Sequence, residues 1–366
     1  MKIIYLVSRA KISGPINQAL NILSGLVQSG KVDATLVTIN PEVKGNSWLD
    51  RFKEKGIRVF SLNQRGYKLV KSIILLRQYI TQNKIDVIHV SGFRACFITL
   101  FVPKCTKRIV TQRCDPKDIA EKLPPFVQPI CKYFYLFILR KMDVVVACSE
   151  SLQHVLINQY QINALVVQNG VDTAFFRPLV KVDKSVLKQR LKLENKRIYL
   201  VLGSLRSRKN NILIIDAINK MNKFDGMLLF VGDGPEREFL EKQSKGNPQI
   251  CFIGNTDSPV DYLQASDFLV SSALAEGLPN TVLEALSCGL VPILSDILPH
   301  LELVGGTAIE HLFDKNSSAE LSELLCDSTN WDIETQSAYA RQIAVERFGI
   351  RCLASKYERI YFQVGS

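Results

Sequence analysis

The chain has 366 residues, of which 47% are hydrophobic and 22% are charged, and its formal net charge is +11. This composition excludes a mainly disordered chain, because it supplies enough apolar side chains for a full core, and the length predicts two domains or one large one. Residues 1–180 contain 25 basic and 11 acidic residues, a balance of +14, whereas residues 181–366 contain 21 and 24, a balance of −3. The first half is therefore predicted to face an anionic partner, either nucleic acid or a membrane surface.

The apolar runs are too short to cross a membrane. The run at residues 133–139 ends at Arg140, far below the ~20 residues that a spanning helix needs. The start of the chain lacks the pattern of a signal peptide. The nine cysteines are scattered without a C-x-x-C pair, which favours free thiols in a reducing compartment. We therefore expect a cytoplasmic protein.

Short apolar strands alternate with helical periodicity along the first half. Strands are predicted at Lys2–Val7, 34–39, Val87–Val90, 108–111, Val144–Ala147 and 165–168. Helices are predicted at 16–27, 69–80 and 127–139. This alternation is typical of β-α-β units around a parallel sheet.

The alternation restarts after a turn at residues 169–172 and a lysine-rich segment at 181–197, which is predicted to connect two domains. Strands follow at Ile198–Leu202, Met227–Val231, 250–253, Phe268–Ser271 and Val291–Ser295. Helices are predicted at 210–221, 235–245, 260–265, 279–288 and 331–347, and a tail with regularly spaced aromatic residues follows at 350–362. Two such arrays predict an α/β protein of two doubly wound domains, with a cleft between the carboxyl ends of their strands.

The densest motif is residues 276–284, where Glu276 and Glu284 flank the start of a predicted helix. With Pro279 in the first turn, the helix would offer a diphosphate the free N–H groups of Leu278, Asn280 and Thr281. The two carboxylates could accept hydrogen bonds from the vicinal hydroxyls of a sugar or ribose. The alternative is a pair of solvated glutamates, but the apolar neighbours of Glu284 argue against it.

A basic cluster at residues 203–210 directly follows a predicted buried strand. Its cations, Arg206, Arg208 and Lys209, would suit a phosphate clamp, although a charge run is more often a solvated loop. Two glycine-containing turns, residues 232–235 and 13–15, also follow strands. By itself, each of these turns is weak evidence for a binding site, because many turns between a strand and a helix look like this.

Other chemistries lack support in the sequence. The four histidines have no metal-ligand spacing and there is no D-x-D pair, so no metal or other cofactor is expected. Neither a G-x-S-x-G elbow nor a G-x-G-x-x-G loop after the first strand is found, which disfavours a hydrolase and a dinucleotide enzyme.

Together these motifs resemble the retaining, nucleotide-sugar-dependent glycosyltransferases of family 4, which have the GT-B fold of two Rossmann-like domains facing a central cleft. The segments that carry the resemblance, in family order, are residues 167–172, 176–178, 203–210, 232–235, 265–271 and 276–292. The resemblance implies an acceptor-side domain at residues 1–175 and a donor domain at 176–347. A final helix, about 348–366, would cross back to the first domain.

The resemblance also implies roles for individual residues. Lys209 would neutralise the donor diphosphate, Glu276 would hold hydroxyls of the transferred sugar, and Glu284 would hold the ribose hydroxyls. Gly254 would lie near the base, and Gly14 would let its loop approach the donor phosphates and the acceptor. Sugar and phosphate would also be bound along the segment Gly277, Leu278, Pro279 and Asn280.

Three positions depart from the family pattern. Ser204 stands where the family usually has Arg, which leaves Arg206 or Arg208 to supply the second positive charge. Ser91 stands where many members have His. Arg113 lies in the segment where many members have a catalytic His; it could stabilise charge at the reacting centre, but it cannot act as a general base.

The basic first half interleaves cations with aromatic residues, in one predicted helix containing Arg65, Tyr67, Lys68 and Arg77 and again at 126–141. This pattern suits docking to anionic lipid, although the apolar residues by themselves would suit packing on the sheet. Nucleic-acid binding is ranked well below lipid, because no known module is present. We expect an enzyme on the cytoplasmic face of the inner membrane.

The leading hypothesis is a metal-independent hexosyl- or N-acetylhexosaminyltransferase. It would move a sugar from a nucleotide sugar, expected to be a UDP-sugar, to a saccharide or lipid-linked acceptor in lipopolysaccharide, O-antigen or capsule assembly. The first alternative is a catalytically degenerate GT-B subunit that binds a nucleotide sugar or a partner glycosyltransferase, and the departures at Ser91, Arg113 and Ser204 motivate it. A nucleotide-sugar epimerase ranks third.

Overall fold

A computed structural model of the chain contains two compact units. It describes residues 1–43, 45–65, 68–120, 123–193 and 196–365. One unit consists of Met1–Gly170 with Ile350–Ser366, and the other of Val171–Gly349. The domain boundaries expected at residues 175 and 347 stay predictions.

The described part of the first unit contains a parallel sheet of seven strands in the order β3-β2-β1-β4-β5-β6-β7. The strands are β1 (Lys2–Val7), β2 (Asp33–Thr38), β3 (Arg58–Ser61), β4 (Val87–Val90), β5 (Lys107–Gln112), β6 (Val144–Ala147) and β7 (Leu165–Val166). The central strands are buried on both faces, which is why they read as continuous apolar runs. The strand order reverses between β1 and β4, and a crevice forms at such a point.

Helices connect these strands. They are α1 (Gly14–Ser29), α2 (Leu49–Glu54), α3 (Leu69–Asn83), α4 (Phe93–Thr99), α5 (Gln128–Leu139) and α6 (Glu150–Tyr160). Gly30 ends α1 with a φ of 67°, a left-handed conformation that glycine adopts without a steric penalty.

The described part of the second unit contains six parallel strands in the order β10-β9-β8-β11-β12-β13. They are β8 (Ile198–Leu202), β9 (Met227–Val231), β10 (Ile250–Gly254), β11 (Phe268–Ser271), β12 (Val291–Ser295) and β13 (Leu312–Phe313). Here the order reverses between β8 and β11, so both units have the doubly wound topology that the sequence predicts.

The helices of the second unit flank its sheet. They are α7 (Lys181–Arg190), α8 (Asn211–Lys220), α9 (Arg237–Gln243), α10 (Pro259–Ala265), α11 (Asn280–Ser287), α12 (Leu298–Val304), α13 (Ser318–Asp327) and α14 (Ile333–Phe348). The final helix, α15 (Ile350–Gly365), belongs to the first unit.

The final helix packs on α1, as the resemblance implies. A Cβ added at Gly25 would lie 2.6 Å from the Cβ of Ala354 and 2.7 Å from the carbonyl oxygen of Ile350. Tyr357 and Tyr361 of the same helix are fully buried in the core of the first unit. The end of the chain is therefore part of the first unit's core.

Several sequence predictions need correction. The segment after residue 181, predicted to be a connector with weak helical spacing, begins with α7, of which only Leu187 is buried. The helix predicted at 69–80 begins at Leu69 and continues to Asn83, so Arg65 and Lys68, grouped with its cations in the sequence prediction, precede it, and Tyr67 lies outside the described residues. No element is predicted at residues 296–330, but α12, β13 and α13 lie there.

In the described parts of the chain, every helix is too short or too polar to cross a bilayer. All nine cysteines are free thiols, as predicted.

Candidate active site

A small cavity lies at the point where the strand order of the second sheet reverses. Its walls come from the ends of β8 and β11, from the loop after β8 and from the start of α11. Gly203, Ser204, Lys209 and Pro279 line it. Parallel strands present their carboxyl ends at one edge, so two segments predicted to bind the donor meet here.

Lys209 and Glu276 form an ion pair beside this cavity. The Lys209 Nζ donates to Glu276 Oε1 at 2.5 Å, and the two side chains are 22% and 12% exposed. The basic loop is therefore not simply solvated, because one of its cations is mostly withdrawn from water and matched to a carboxylate 67 residues away.

The backbone around Lys209 is held by a side chain that the sequence does not single out. The Ser272 hydroxyl lies 3.0 Å from the carbonyl oxygen of Lys209 and 2.8 Å from that of Asn210. Asn210 has a φ of 50°, a conformation that asparagine tolerates better than most residues. Its side chain donates to the carbonyl oxygen of Lys315 at 3.1 Å. These contacts fix the backbone position from which the Lys209 side chain extends.

The basic loop and the glycine turn at 232–235 pack against each other at the same edge. Leu205 donates its N–H to the carbonyl oxygen of Asp233 at 3.0 Å. A Cβ on Gly234 would lie 2.2 Å from the carbonyl oxygen of Leu205. The glycine turn at 232–235 therefore supports the basic loop by close backbone approach.

The motif at residues 276–284 differs from its prediction in local detail. Pro279 has extended backbone and is the N-cap of α11, so the helix begins at Asn280 and not at Pro279. Leu278 and Asn280 both interact within the chain, and the binding of a diphosphate by the N–H groups of this segment stays a prediction. Leu278 is buried, and Glu284 is half-buried.

The remaining predicted donor residues lie in the same unit. Gly277 connects Glu276 to the buried Leu278, and Arg206 is exposed in the basic loop. Gly254, at the end of β10, accepts a hydrogen bond from the N–H of Gly232 at 2.8 Å and has a φ of 83°. The roles of these residues in binding a donor stay predictions.

Arg113 and Gly14 lie in the first unit. Gly14 is the first residue of α1, and Arg113 follows β5 and lines a separate cavity of about 390 Å³. The Arg113 Nη1 donates to Asn169 Oδ1 at 2.5 Å. Ser91 lines the same cavity. His89, two residues earlier, is fully buried and bonds Tyr361 and Thr111 at 2.7 and 2.8 Å.

Within the described ranges, no group of three or more histidine, cysteine, aspartate or glutamate side chains is placed to hold a metal ion. The prediction that the reaction needs no metal stays a prediction.

The chain matches two family models. The model described as glycosyltransferase family 4 matches residues 13–175, and the model described as glycosyl transferases group 1 matches residues 183–335. Because the two models together match most of the chain, the chain belongs to the glycosyltransferases that they describe.

The curated relatives of this glycosyltransferase match different shares of its chain. The N-acetyl-α-D-glucosaminyl L-malate synthase of Bacillus anthracis is 27% identical over 62% of this chain and 61% of its own length. The lipopolysaccharide core mannosyltransferase LpsB of Rhizobium meliloti is 27% identical over 48% and 51%. An Escherichia coli UDP-Gal:α-D-GlcNAc-diphosphoundecaprenol α-1,3-galactosyltransferase is 23% identical over 76% and 78%. This chain thus spans less than two thirds of the length of the first two relatives.

Solved structures confirm the GT-B fold. Anabaena HepE in complex with UDP and glucose superposes with a TM-score of 0.80 at 18% identity, covering 98% of this chain and 99% of that one. A glycosyltransferase from Rickettsia africae gives 0.79 at 18% identity, covering 99% and 98%.

His300 is a further candidate residue of this glycosyltransferase that sequence reasoning considered only as a metal ligand. It is fully buried in α12, and the charges of Glu276 and Lys209 act on it. Its Nδ1 lies 2.8 Å from the carbonyl oxygen of Ser295, so Nδ1 carries the proton. Nε2 is then a bare acceptor, buried without a hydrogen-bond partner among the described residues. The sequence feature that could have indicated His300 is its position shortly after the buried strand β12, at the edge of the sheet where the cavity lies.

We expect His300 to make the protein less stable in acid. Burial, the largest cause, lowers the pKa of His300 from 6.5 to about 4. Between these values the unfolded chain binds the extra proton, so the stability is present at neutral pH and is lost as the pH falls. The loss between pH 7 and 4 is about 3 kcal/mol of unfolding free energy. Urea unfolding of wild type and His300→Gln at both pH values isolates this loss, and equal pH dependence in the two proteins would contradict it.

Proposed function

We propose that the protein transfers a hexosyl or N-acetylhexosaminyl group from a UDP-sugar to a saccharide or lipid-linked acceptor, with retention and without a metal. The observation that supports this most is the Lys209–Glu276 pair beside the cavity where the second sheet reverses its strand order. A cation and a carboxylate held 2.5 Å apart can serve two neighbouring parts of one ligand. A nucleotide sugar has such parts, namely a diphosphate and a sugar with several hydroxyls.

The cation acts on the leaving group. As the bond between the anomeric carbon and the diphosphate breaks, negative charge grows on the phosphate oxygens. Lys209, mostly withdrawn from water, stabilises that charge better than an exposed lysine would. Glu276 accepts hydrogen bonds from sugar hydroxyls and keeps the lysine oriented before the donor arrives.

The choice of UDP and of a surface polysaccharide pathway comes from similar proteins. Anabaena HepE was solved with UDP and with UDP-glucose. The Escherichia coli relative is named for UDP-Gal and a diphosphoundecaprenol acceptor, and another relative is named for O-antigen biosynthesis.

The donor is tested by thermal denaturation with UDP-, GDP- and ADP-sugars. A ligand at 100 times its dissociation constant stabilises by about 2.7 kcal/mol, so we expect UDP-sugars to raise the Tm by on the order of 5 °C. NMR of the product then gives the anomeric configuration. Binding without turnover on any acceptor would favour the non-catalytic subunit, and inversion would contradict the retaining mechanism.

We further propose that α5 docks on an anionic membrane. The helix and Phe126, two residues before it, expose large apolar side chains. These are Phe126 (79%), Ile130 (69%), Tyr133 (65%) and Phe137 (49%). Lys132 lies over the Tyr133 ring and Lys141 over the Phe137 ring, and α5 contains no acidic residue. Apolar side chains flanked by cations are complementary to an interface of acyl chains and anionic headgroups.

Co-sedimentation with liposomes tests the docking. Binding to vesicles rich in phosphatidylglycerol should exceed binding to phosphatidylcholine vesicles and should weaken with salt. Phe126→Ser with Tyr133→Ser should reduce it at least about fivefold, since each buried apolar side chain contributes about 1.5 kcal/mol or more. Val182→Ser is the matched control, because Val182 is 73% exposed in the other unit. Equal binding to both lipids, or self-association through α5, would overturn the docking.

A further inference from the structure

The guanidinium of Arg113 is mostly buried, and no carboxylate among the described residues forms an ion pair with it. Its Nε and Nη2 atoms are inaccessible to solvent and have no hydrogen-bond partner in the described chain. The Tyr5 hydroxyl is close, but its geometry does not make a hydrogen bond. The groups that act most strongly on Arg113 are two phenols and the Cys148 thiol, with no carboxylate among them. Burying a charge in this way is costly unless something pairs with it.

The charged residues that line the Arg113 cavity are all basic. Arg9 and Lys11, both exposed, line it together with Arg113, and none of the described lining residues is acidic. Burial, and then the charge of Arg9, lowers the pKa of Arg94, so a fourth cation lies close by. Two carboxylates near the lining residues already have partners. Glu42 accepts hydrogen bonds from the Ala10 N–H and the Ser47 hydroxyl, and Asp115 accepts one from the Tyr160 hydroxyl and pairs with Lys117.

The same cavity has the amino end of a long helix. Ser13 and Pro15, at the start of the 16-residue α1, line its wall. The first turn of α1 contains no acidic residue, and the positive end of a helix dipole favours an anion. A buried arginine and two exposed cations therefore share one cavity with a positive helix end.

We infer that this cavity binds an anionic group, a phosphate or a carboxylate, carried by the acceptor substrate. The inference rests on the proposed function, and it narrows the acceptor to molecules with negative charge near the hydroxyl that receives the sugar. Arg113 supplies a planar donor set suited to either oxyanion. Arg9 and Lys11 attract the anion electrostatically. Because both are exposed, the rest of the acceptor can extend away from the cavity.

Binding is measured by calorimetry on the full chain with three probes: inorganic pyrophosphate, farnesyl diphosphate in neutral micelles, and succinate. The variants are Arg113→Met, Arg9→Met and Lys209→Met, with Lys53→Met as the control, since Lys53 is 59% exposed and pairs with Asp50 away from this cavity. Arg113→Met should weaken the bound probe by about 10- to 100-fold. Arg9→Met should weaken it by up to about fivefold.

Tighter binding of farnesyl diphosphate than of pyrophosphate would assign the anion to a lipid-linked acceptor. Tighter binding of succinate would assign it to a small carboxylic acid. Binding that survives in Arg113→Met and Arg9→Met but is lost in Lys209→Met would overturn the inference, because the probe would then occupy the donor cavity. Failure of all three probes to bind would also overturn it. None of these results depends on sugar transfer, so a failure of the proposed function is seen separately.

A second measurement does not depend on a ligand. Without a probe, Arg113→Met should melt at a higher temperature than wild type, because an uncompensated buried charge is removed. It should then show no stabilisation by the probe that stabilises wild type. A lower Tm together with unchanged probe stabilisation would contradict the assignment.

Discussion

Replacing Lys209 by methionine is expected to lower kcat by about 10²- to 10³-fold, the usual cost of removing one group that stabilises transition-state charge. Methionine keeps most of the volume of the lysine chain and removes only the ammonium. The loss should fall mainly on kcat, because the negative charge on the leaving diphosphate is greatest in the transition state. The removal also leaves the Glu276 carboxylate, 12% exposed, without its partner at 2.5 Å.

A double-mutant cycle separates these two consequences. If Lys209 and Glu276 act as one unit, Glu276→Gln on top of Lys209→Met should add far less than the two single effects combined. The measurement is steady-state transfer from the UDP-sugar that gives the largest thermal shift. Lys223→Met is the control, because Lys223 is exposed in the loop after α8. Retention of more than about a tenth of the wild-type kcat in Lys209→Met would exclude the electrostatic role.

The strands could be predicted from the sequence because a buried strand appears in it as a continuous apolar run. β4, β8, β9 and β11 are each an apolar run that is buried along most of its length. The edge strand β3 is not predicted, because its residues alternate between exposed and half-buried. A strand with so few apolar neighbours leaves too weak a pattern in the sequence.

Helices that bury little are also hard to predict. α7 buries only Leu187, and α6 buries only Leu152 and Leu156. Their boundaries depend on caps and turns, such as the Ser149 side chain that accepts from the N–H of Leu152. Pro279 shows the same limit, since a proline fits both the N-cap and the first turn, and only the structure distinguishes them.

The candidate site could be predicted where one residue type carries the chemistry, and not where distant contacts carry it. Lys209 is predicted from its place in a basic cluster after a strand and Glu276 from its place in the 276–284 motif, and the structure brings the two together. Ser272 and His300 are not prominent, because a serine or a histidine after a strand is common. Their importance comes from what folding places beside them: two loop carbonyls in one case and the ion pair in the other.

Replacing Gly232 by alanine is expected to lower the free energy of unfolding by about 2 to 6 kcal/mol. Gly232 has a φ of 130°, and a Cβ there would lie 2.0 Å from the carbonyl oxygen of Gly203. Backbone cannot rotate away as a flexible side chain can, so the loop after β8 has to move. That loop leads to Lys209, and UDP binding should therefore weaken together with stability.

Gly246→Ala is the matched control. Gly246 also has a positive φ, 69°, but no described atom lies within 4 Å of its added Cβ. Its substitution costs only the backbone strain of about 1 to 2 kcal/mol and should leave UDP affinity unchanged. Urea unfolding and UDP titration of both variants give the comparison. Equal destabilisation would mean that the close approach of Gly232 to Gly203 is not what holds the basic loop, and Lys209 would then depend on the Ser272 contacts alone.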